Sequence, residues 1–345
     1  MKFENSLPLI TSTLLMVTIS SANAEQNPLQ KCVMAQYENA SDEITLAELR
    51  NICNKDLKFK EEIEKIAVTG KENVKLGVIS RRVLNEKETE FKPYVITPHK
   101  LNYILPVYST NAINKAAYNS ISSYEENLSD LETFFQISLK VPLNNRSLFI
   151  EGDGLYLGFT LQAWWQIYAK NISKPFRETN YQPELFYLAP FSWNPFYGNT
   201  GFLIGIEHQS NGKSQGFSRS WNRAYVGFLF EKDNFALKLK PWVRLSENEK
   251  KYPLDPSGDD NPDIEDYMGH FELEMAHKWD DYELSFLGRQ NFDKNKGAVQ
   301  LGFTFPLWGK LRGYANVFSG YGDSLIDYNY RQTRYGLGIA LTNIL

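Results

Sequence analysis

The chain has 345 residues, with 37 Lys and Arg against 41 Asp and Glu, a formal charge of −4. Hydrophobic residues make up 42% and aromatics 14%, with Trp 7, Tyr 20 and Phe 22. That balance excludes a disordered chain, which carries few aromatics, and shows no basic footprint for nucleic acid. A bundle of membrane helices is excluded too, because each span needs about 20 apolar residues and no second long apolar run exists. A transmembrane β-barrel has this composition, since its lumen-facing polar residues dilute its lipid-facing apolar ones.

Residues 1–24 read as a secretory signal peptide. Lys2 gives a basic start, Leu7 to Ile19 is mostly apolar, and Ala22-Asn23-Ala24 is a small-x-small cleavage site. A retained anchor is the alternative. Residues 25–88 read as a small periplasmic appendage, rich in Lys and Glu. It holds one helix, opened by the capping box Thr45-Leu46-Ala47-Glu48, with Leu49, Ile52 and Cys53 on one face. Cys32 and Cys53 are the only cysteines, and an even pair in an exported chain reads as one disulfide, with two free thiols as the alternative.

Residues 89–345 read as the barrel domain. Phe135, Ile137, Leu139 and Val141 alternate with Gln136, Ser138 and Lys140; Leu155, Leu157, Phe159 and Leu161 alternate with Tyr156, Gly158 and Thr160. A single such strand also suits a soluble sheet, but many of about ten residues behind a signal peptide favour a closed barrel. Strands are predicted near 100–108, 130–141, 155–166, 181–190, 201–210, 222–230, 235–245, 267–278, 282–290, 298–306, 311–319 and 333–345, an antiparallel barrel of twelve. Short connections belong on the periplasmic side and long loops outside, which places the top of 201–210 at the outer rim. Six Trp (Trp164, Trp165, Trp193, Trp242, Trp279 and Trp308) are expected in interfacial girdles.

The stretch from Gly201 to Gly212 carries the chemistry. Strand parity puts Phe202, Ile204, Ile206, His208 and Ser210 on one face, the apolar face that meets lipid. The next strand puts Asn222, Ala224, Val226, Phe228 and Phe230 on the same side, and the hairpin between the strands returns Asn222 to the rim beside His208 and Ser210. Polar groups there are costly unless they pair or work. A serine hydroxyl needs a base to become a nucleophile, an imidazole serves at neutral pH, and an amide oxygen can hold the imidazole in one tautomer without a second charge near lipid. Residue types alone leave open a rim His and Ser that only bond headgroups or loop backbone.

His208-Gln-Ser210-Asn-Gly212, followed by Ser218-Arg-Ser-Trp-Asn222-Arg223, resembles the signature of the outer membrane phospholipase A family. Pro175-Phe-Arg-Glu-Thr-Asn-Tyr181, Lys240-Pro-Trp242, Asp260-Asn-Pro-Asp-Ile264 and the string from Ser319 to Asn329 extend the resemblance over roughly residues 92–345. The resemblance implies a twelve-stranded outer-membrane barrel that hydrolyses acyl esters of phospholipids and lysophospholipids, depends on calcium and acts as a homodimer. Ser210 would be the nucleophile, His208 the base and Asn222 its orienter, with the Gly212 amide in the oxyanion site. Calcium would be held by Ser218, the carbonyl of Lys213, and Ser173 from the second subunit, a set of hard oxygen donors suited to that ion. Departures from the family pattern are Gln209, Lys213, Gln215, Leu161 at the expected dimer face, and the final Leu345. The competing reading is a passive pore or structural barrel, for which a His, Ser and Asn facing lipid have no use.

Overall fold

The computed structural model describes residues 27–37, 45–54, 57, 76–89, 95–121, 124–252, 255, 257–309 and 311–342. The signal-peptide reading of 1–24 lies outside the described residues. The chain divides into two compact units, Met1–Glu62 and Ile63–Leu345.

In the first unit, helix α1 spans Pro28–Tyr37 and helix α2 is described over 46–54. The Thr45 capping box forms: the Glu48 N–H donates to Thr45 Oγ1 at 3.3 Å, and the Thr45 N–H donates to Glu48 Oε2 at 2.9 Å. Val33, Leu49 and Cys53 make a small buried core. Cys32 and Cys53 are joined by a disulfide, with their Cα atoms 5.8 Å apart.

The second unit is a closed antiparallel barrel of twelve strands. They are β1 Tyr103–Thr110, β2 Leu131–Pro142, β3 Gly154–Trp165, β4 Glu178–Phe191, β5 Asn199–Ser210 and β6 Ser220–Lys232. The chain continues with β7 Phe235–Leu245, β8 Phe271–Trp279, β9 Tyr282–Asn291, β10 Lys296–Trp308, β11 Leu311–Gly320 and β12 Gln332–Ala340. Each strand pairs with its neighbours in sequence, and β12 closes on β1. A two-residue bridge, Thr97–Pro98, adds to the lower end of β2. All twelve predicted strands are present. The predicted 267–278 strand starts only at Phe271, because Ile264–Met268 form a short helix that Gly269 ends at φ +72. The last strand stops at Ala340, and 343–345 lie outside the described residues.

The barrel is inverted relative to a soluble core. On β5, Ile204 and Ile206 are more than half exposed while Gly205 and Glu207 are buried. Lipid must cover that outward stripe, because a barrel exposes an apolar band to the bilayer. Of the six girdle candidates, Trp193, Trp279 and Trp308 are exposed and Trp165 is half-buried, whereas Trp164 and Trp242 are buried and do not belong to a girdle. Strand parity turns those two inward, where Trp164 Nε1 donates to Asp323 Oδ2 at 3.0 Å.

Both ends of the lumen are filled. At the outer end, Arg177 and Arg334 converge on the buried Glu132, and Arg177 also meets Asp327 in the loop before β12 at 3.0 Å. At the periplasmic end lies helix α3, Val78–Lys87. Glu231 of β6 accepts the Ile79 N–H at 2.5 Å and the Ser80 N–H at 3.0 Å, so a strand carboxylate meets the positive end of this helix. Glu86 on the same helix meets Lys140 of β2 at 2.8 Å. Between the two ends remains a cavity of about 370 Å³, lined by charged side chains such as Arg223, Lys240 and Glu272 together with apolar ones such as Phe134, Phe186 and Met268.

Candidate active site

The β5–β6 hairpin brings the predicted triad residues to one place. In the ladder, His208 lies directly opposite Asn222, and Ser210 opposite Ser220. Parity puts His208, Ser210 and Asn222 on the outward side, above exposed Ile204, Ile206, Val226 and Phe228. His208 Nδ1 and Asn222 Oδ1 are 2.8 Å apart, a hydrogen bond. Asn222 Nδ2 donates in turn to Glu247 Oε1 at 2.9 Å. The Ser210 side chain makes no hydrogen bond among the described residues. Such contacts are often long in ligand-free enzymes and tighten around substrate.

The inward faces of the same strands are pinned. Glu207 pairs with Arg223 at 2.8 Å and with Lys240 at 3.4 Å, both across strand boundaries. The Arg223 guanidinium lies 3.8 Å from the Trp221 ring centroid, and Trp221 Nε1 donates to Gln209 at 2.9 Å. With their lumen sides cross-linked, β5, β6 and β7 hold the register that sets the outward residues opposite one another.

Loop 211–219 is ordered by Asn211, which is buried. Its Nδ2 donates to Glu178 at 3.0 Å and to the Phe217 carbonyl at 2.7 Å, while its Oδ1 accepts the Arg219 N–H at 3.0 Å. Next to it Gly212 sits at φ +64, a left-handed conformation natural to glycine, and a Cβ there would lie 3.2 Å from the Tyr181 ring. The Lys213 ammonium is turned to Glu178 at 2.8 Å. The Gln215 side chain lies outside the described residues.

The predicted metal ligands fall in two outer loops. Ser218 Oγ donates to Asp260 Oδ2 at 2.5 Å, and Lys250 meets the other oxygen of that carboxylate at 2.5 Å. Because the Ser218 hydroxyl spends its proton on Asp260, its lone pairs remain for a cation, so its chemistry fits a hard ion. Ser173 lies in the β3–β4 loop, where its carbonyl accepts Trp165 Nε1 at 2.7 Å. No hydrogen bond joins Ser173 to Ser218 or Lys213 within the chain, among the described residues.

Two contributors escape a reading of the sequence. Asn211 stands in a Ser-Asn-Gly turn string, which signals a loop but not its burial. Glu247 follows two residues after Leu245, the last residue of β7, and Leu245 pairs with Asn222. The strand was visible in the sequence, but not the register of Leu245 on Asn222 that leaves Glu247 beside that amide.

An imidazole held by an amide oxygen and lying two residues from a serine on a lipid-facing rim can act as base in acyl transfer at the membrane surface. The family model described as phospholipase A1 matches residues 79–341. The phospholipase A1 of Klebsiella pneumoniae is 37% identical over 266 residues, 76% of this chain and 87% of that protein. That of Escherichia coli K12 is 36% identical over 275 residues, 78% of this chain and 88% of the relative. The solved outer membrane phospholipase A from Escherichia coli superposes with a TM-score of 0.68 at 34% identity, covering 76% of this chain and 98% of that one. The Salmonella typhi outer membrane phospholipase, solved as a dimer with bound calcium, also gives 0.68 at 34% identity, covering 79% of this chain and 100% of that one. On this likeness of sequence and barrel, the chain belongs to the phospholipase A1 family.

Proposed function

We propose that this outer-membrane enzyme hydrolyses acyl ester bonds of phospholipids in the outer leaflet through Ser210, His208 and Asn222. The observation that carries the assignment is the 2.8 Å contact between His208 Nδ1 and Asn222 Oδ1 on the lipid-facing rim. Since the amide oxygen can only accept, Nδ1 carries the imidazole proton, and Nε2 presents its lone pair to the serine. Ser210 Oγ attacks the ester carbonyl carbon and gives its proton to His208 Nε2. The carbon–oxygen bond to the glycerol breaks as His208 returns that proton to the leaving oxygen. A water molecule then repeats the cycle on the acyl-serine, releasing the fatty acid. The Gly212 amide, on a loop fixed by Asn211, serves the oxyanion.

Ser218, the Lys213 carbonyl and Ser173 of the partner subunit would hold calcium, which supplies positive charge toward the developing oxyanion. The calcium-bound dimer of the Salmonella typhi relative supports this reading. A ligand set shared across two chains makes the dimer the active form, with phospholipid bound between subunits. Fatty-acid release from phospholipid in mixed micelles, measured against calcium and crosslinking state, tests the proposal. Release that requires calcium and rises with the crosslinked dimer is expected. Release indifferent to both would overturn the shared site.

A further inference from the structure

We propose that Glu247 is a positioning residue for the reaction, one that fixes which way the Asn222 amide faces. The inference rests on the reading of His208 and Asn222 given above. An asparagine amide can present oxygen or nitrogen to a neighbouring imidazole, and the two choices select opposite tautomers. With nitrogen toward His208, Nδ1 would accept and Nε2 would carry the proton, leaving no base for Ser210. The choice therefore has to be enforced from the far side of the amide.

Glu247 stands there. Its Oε1 is 2.9 Å from Asn222 Nδ2. A carboxylate only accepts, so it must meet the NH₂ end, which leaves Oδ1 for His208. One carboxylate outside the triad thus determines the tautomer of the base two hydrogen bonds away. Its seat lies just past the strand: β7 pairs Leu245 with Asn222, and Glu247, two residues beyond the end of β7, brings its carboxylate to the Asn222 amide. The arrangement also accounts for an amide at position 222. A carboxylate there would face Glu247 as well as His208, placing two like charges within hydrogen-bond distance at the edge of the hydrocarbon.

The geometry predicts a reversal of sign that a merely structural residue would not produce. E247A frees the amide to turn, so kcat falls about tenfold at unchanged KM. E247Q keeps an acceptor for Nδ2, and kcat falls less. N222D alone falls further than E247A, because two carboxylates meet. Adding E247Q to N222D raises activity several-fold, since the glutamine NH₂ then donates to the new carboxylate, whereas the same change in the native background lowers it. Initial rates in calcium-containing mixed micelles, together with the inactivation rate of Ser210 by a sulfonyl fluoride, read each variant. Heat-modifiable gel mobility reports that each barrel is folded.

An E247A enzyme with native kcat would overturn the inference, as would E247Q lowering activity equally in both backgrounds. The triad reading fails separately. If H208A and N222A keep more than a few per cent of activity, His208 and Asn222 are not the base and its orienter. If those two collapse while every Glu247 variant behaves as native, only the role of Glu247 falls.

Discussion

At the scale of single residues the rim chemistry rests on directionality, and each partner has a different replaceability. Water can take the place of an orienting amide in part, but not that of the base proposed at His208. Asn222→Ala is therefore expected to lose less than His208→Ala in single-turnover acylation, and equal losses would contradict the roles assigned. Gly212 makes a second test. Alanine there would be strained at φ +64 and would press on the Tyr181 ring at 3.2 Å. Gly212→Ala should lower kcat by about tenfold or more, the scale of weakening one oxyanion donor, with little change in micelle binding. Unchanged kcat would remove the Gly212 amide from the oxyanion site. Much of this was legible beforehand, because a period of two and a hairpin suffice to set His208, Ser210 and Asn222 on one side. Glu247 was not, since its part depends on the pairing of β7 with β6.

At the scale of elements, alternation exposed the strands while helix docking stayed hidden. The appendage reading gave 25–88 one helix, yet its described residues include α1, α2 and α3, and α3 sits in the barrel unit. What fixes α3 is Glu231, some 150 residues away, and no local pattern announces that partner. Gly77 is the close-approach point: a Cβ there would come within 2.4 Å of Glu231 Cδ. Gly77→Ala should loosen the cap by about 1–3 kcal/mol, the cost of a charged hydrogen bond. Hydrogen exchange checks this: the Ile79 and Ser80 amides should exchange at least several-fold faster in the variant, and unchanged rates would deny the cap.

The β2–β3 turn gives a pH signature. Asp153 is buried, which opposes ionisation, but the Tyr187 hydroxyl and the Ile150, Phe149 and Leu148 N–H groups hold its carboxyl at about 2, below the ordinary 3.8. A depressed carboxyl stabilises the fold above its ordinary value, and that contribution fades as pH falls toward 2. Protease nicking of 143–153 should thus be slow at neutral pH and accelerate below about pH 4. Asp153→Asn should be nicked readily at every pH, and a protected variant would contradict the assignment.

At the scale of the whole molecule, composition and parity together implied a closed barrel, and the twelve-stranded ring is its outcome. The two subunits that the proposed calcium site needs could be expected only through resemblance, because no property of one chain shows which of its loops meets a copy of itself. If calcium takes Ser218 from one subunit and Ser173 from the other, calcium and dimerisation must strengthen each other by the same factor. Mixing Ser173→Ala with Ser218→Ala subunits should then restore up to about half the activity per dimer, because one of the two sites is whole. No recovery in crosslinked mixed dimers would confine calcium to a single chain.

The most direct measurement compares fatty-acid release by the native enzyme and by Ser210→Ala, both as folded barrels in calcium-containing mixed micelles. The account predicts that the native enzyme releases fatty acid and that the variant falls by about a thousandfold or more, as loss of a triad nucleophile does. A Ser210→Ala enzyme that keeps more than a few per cent of the native rate would contradict it.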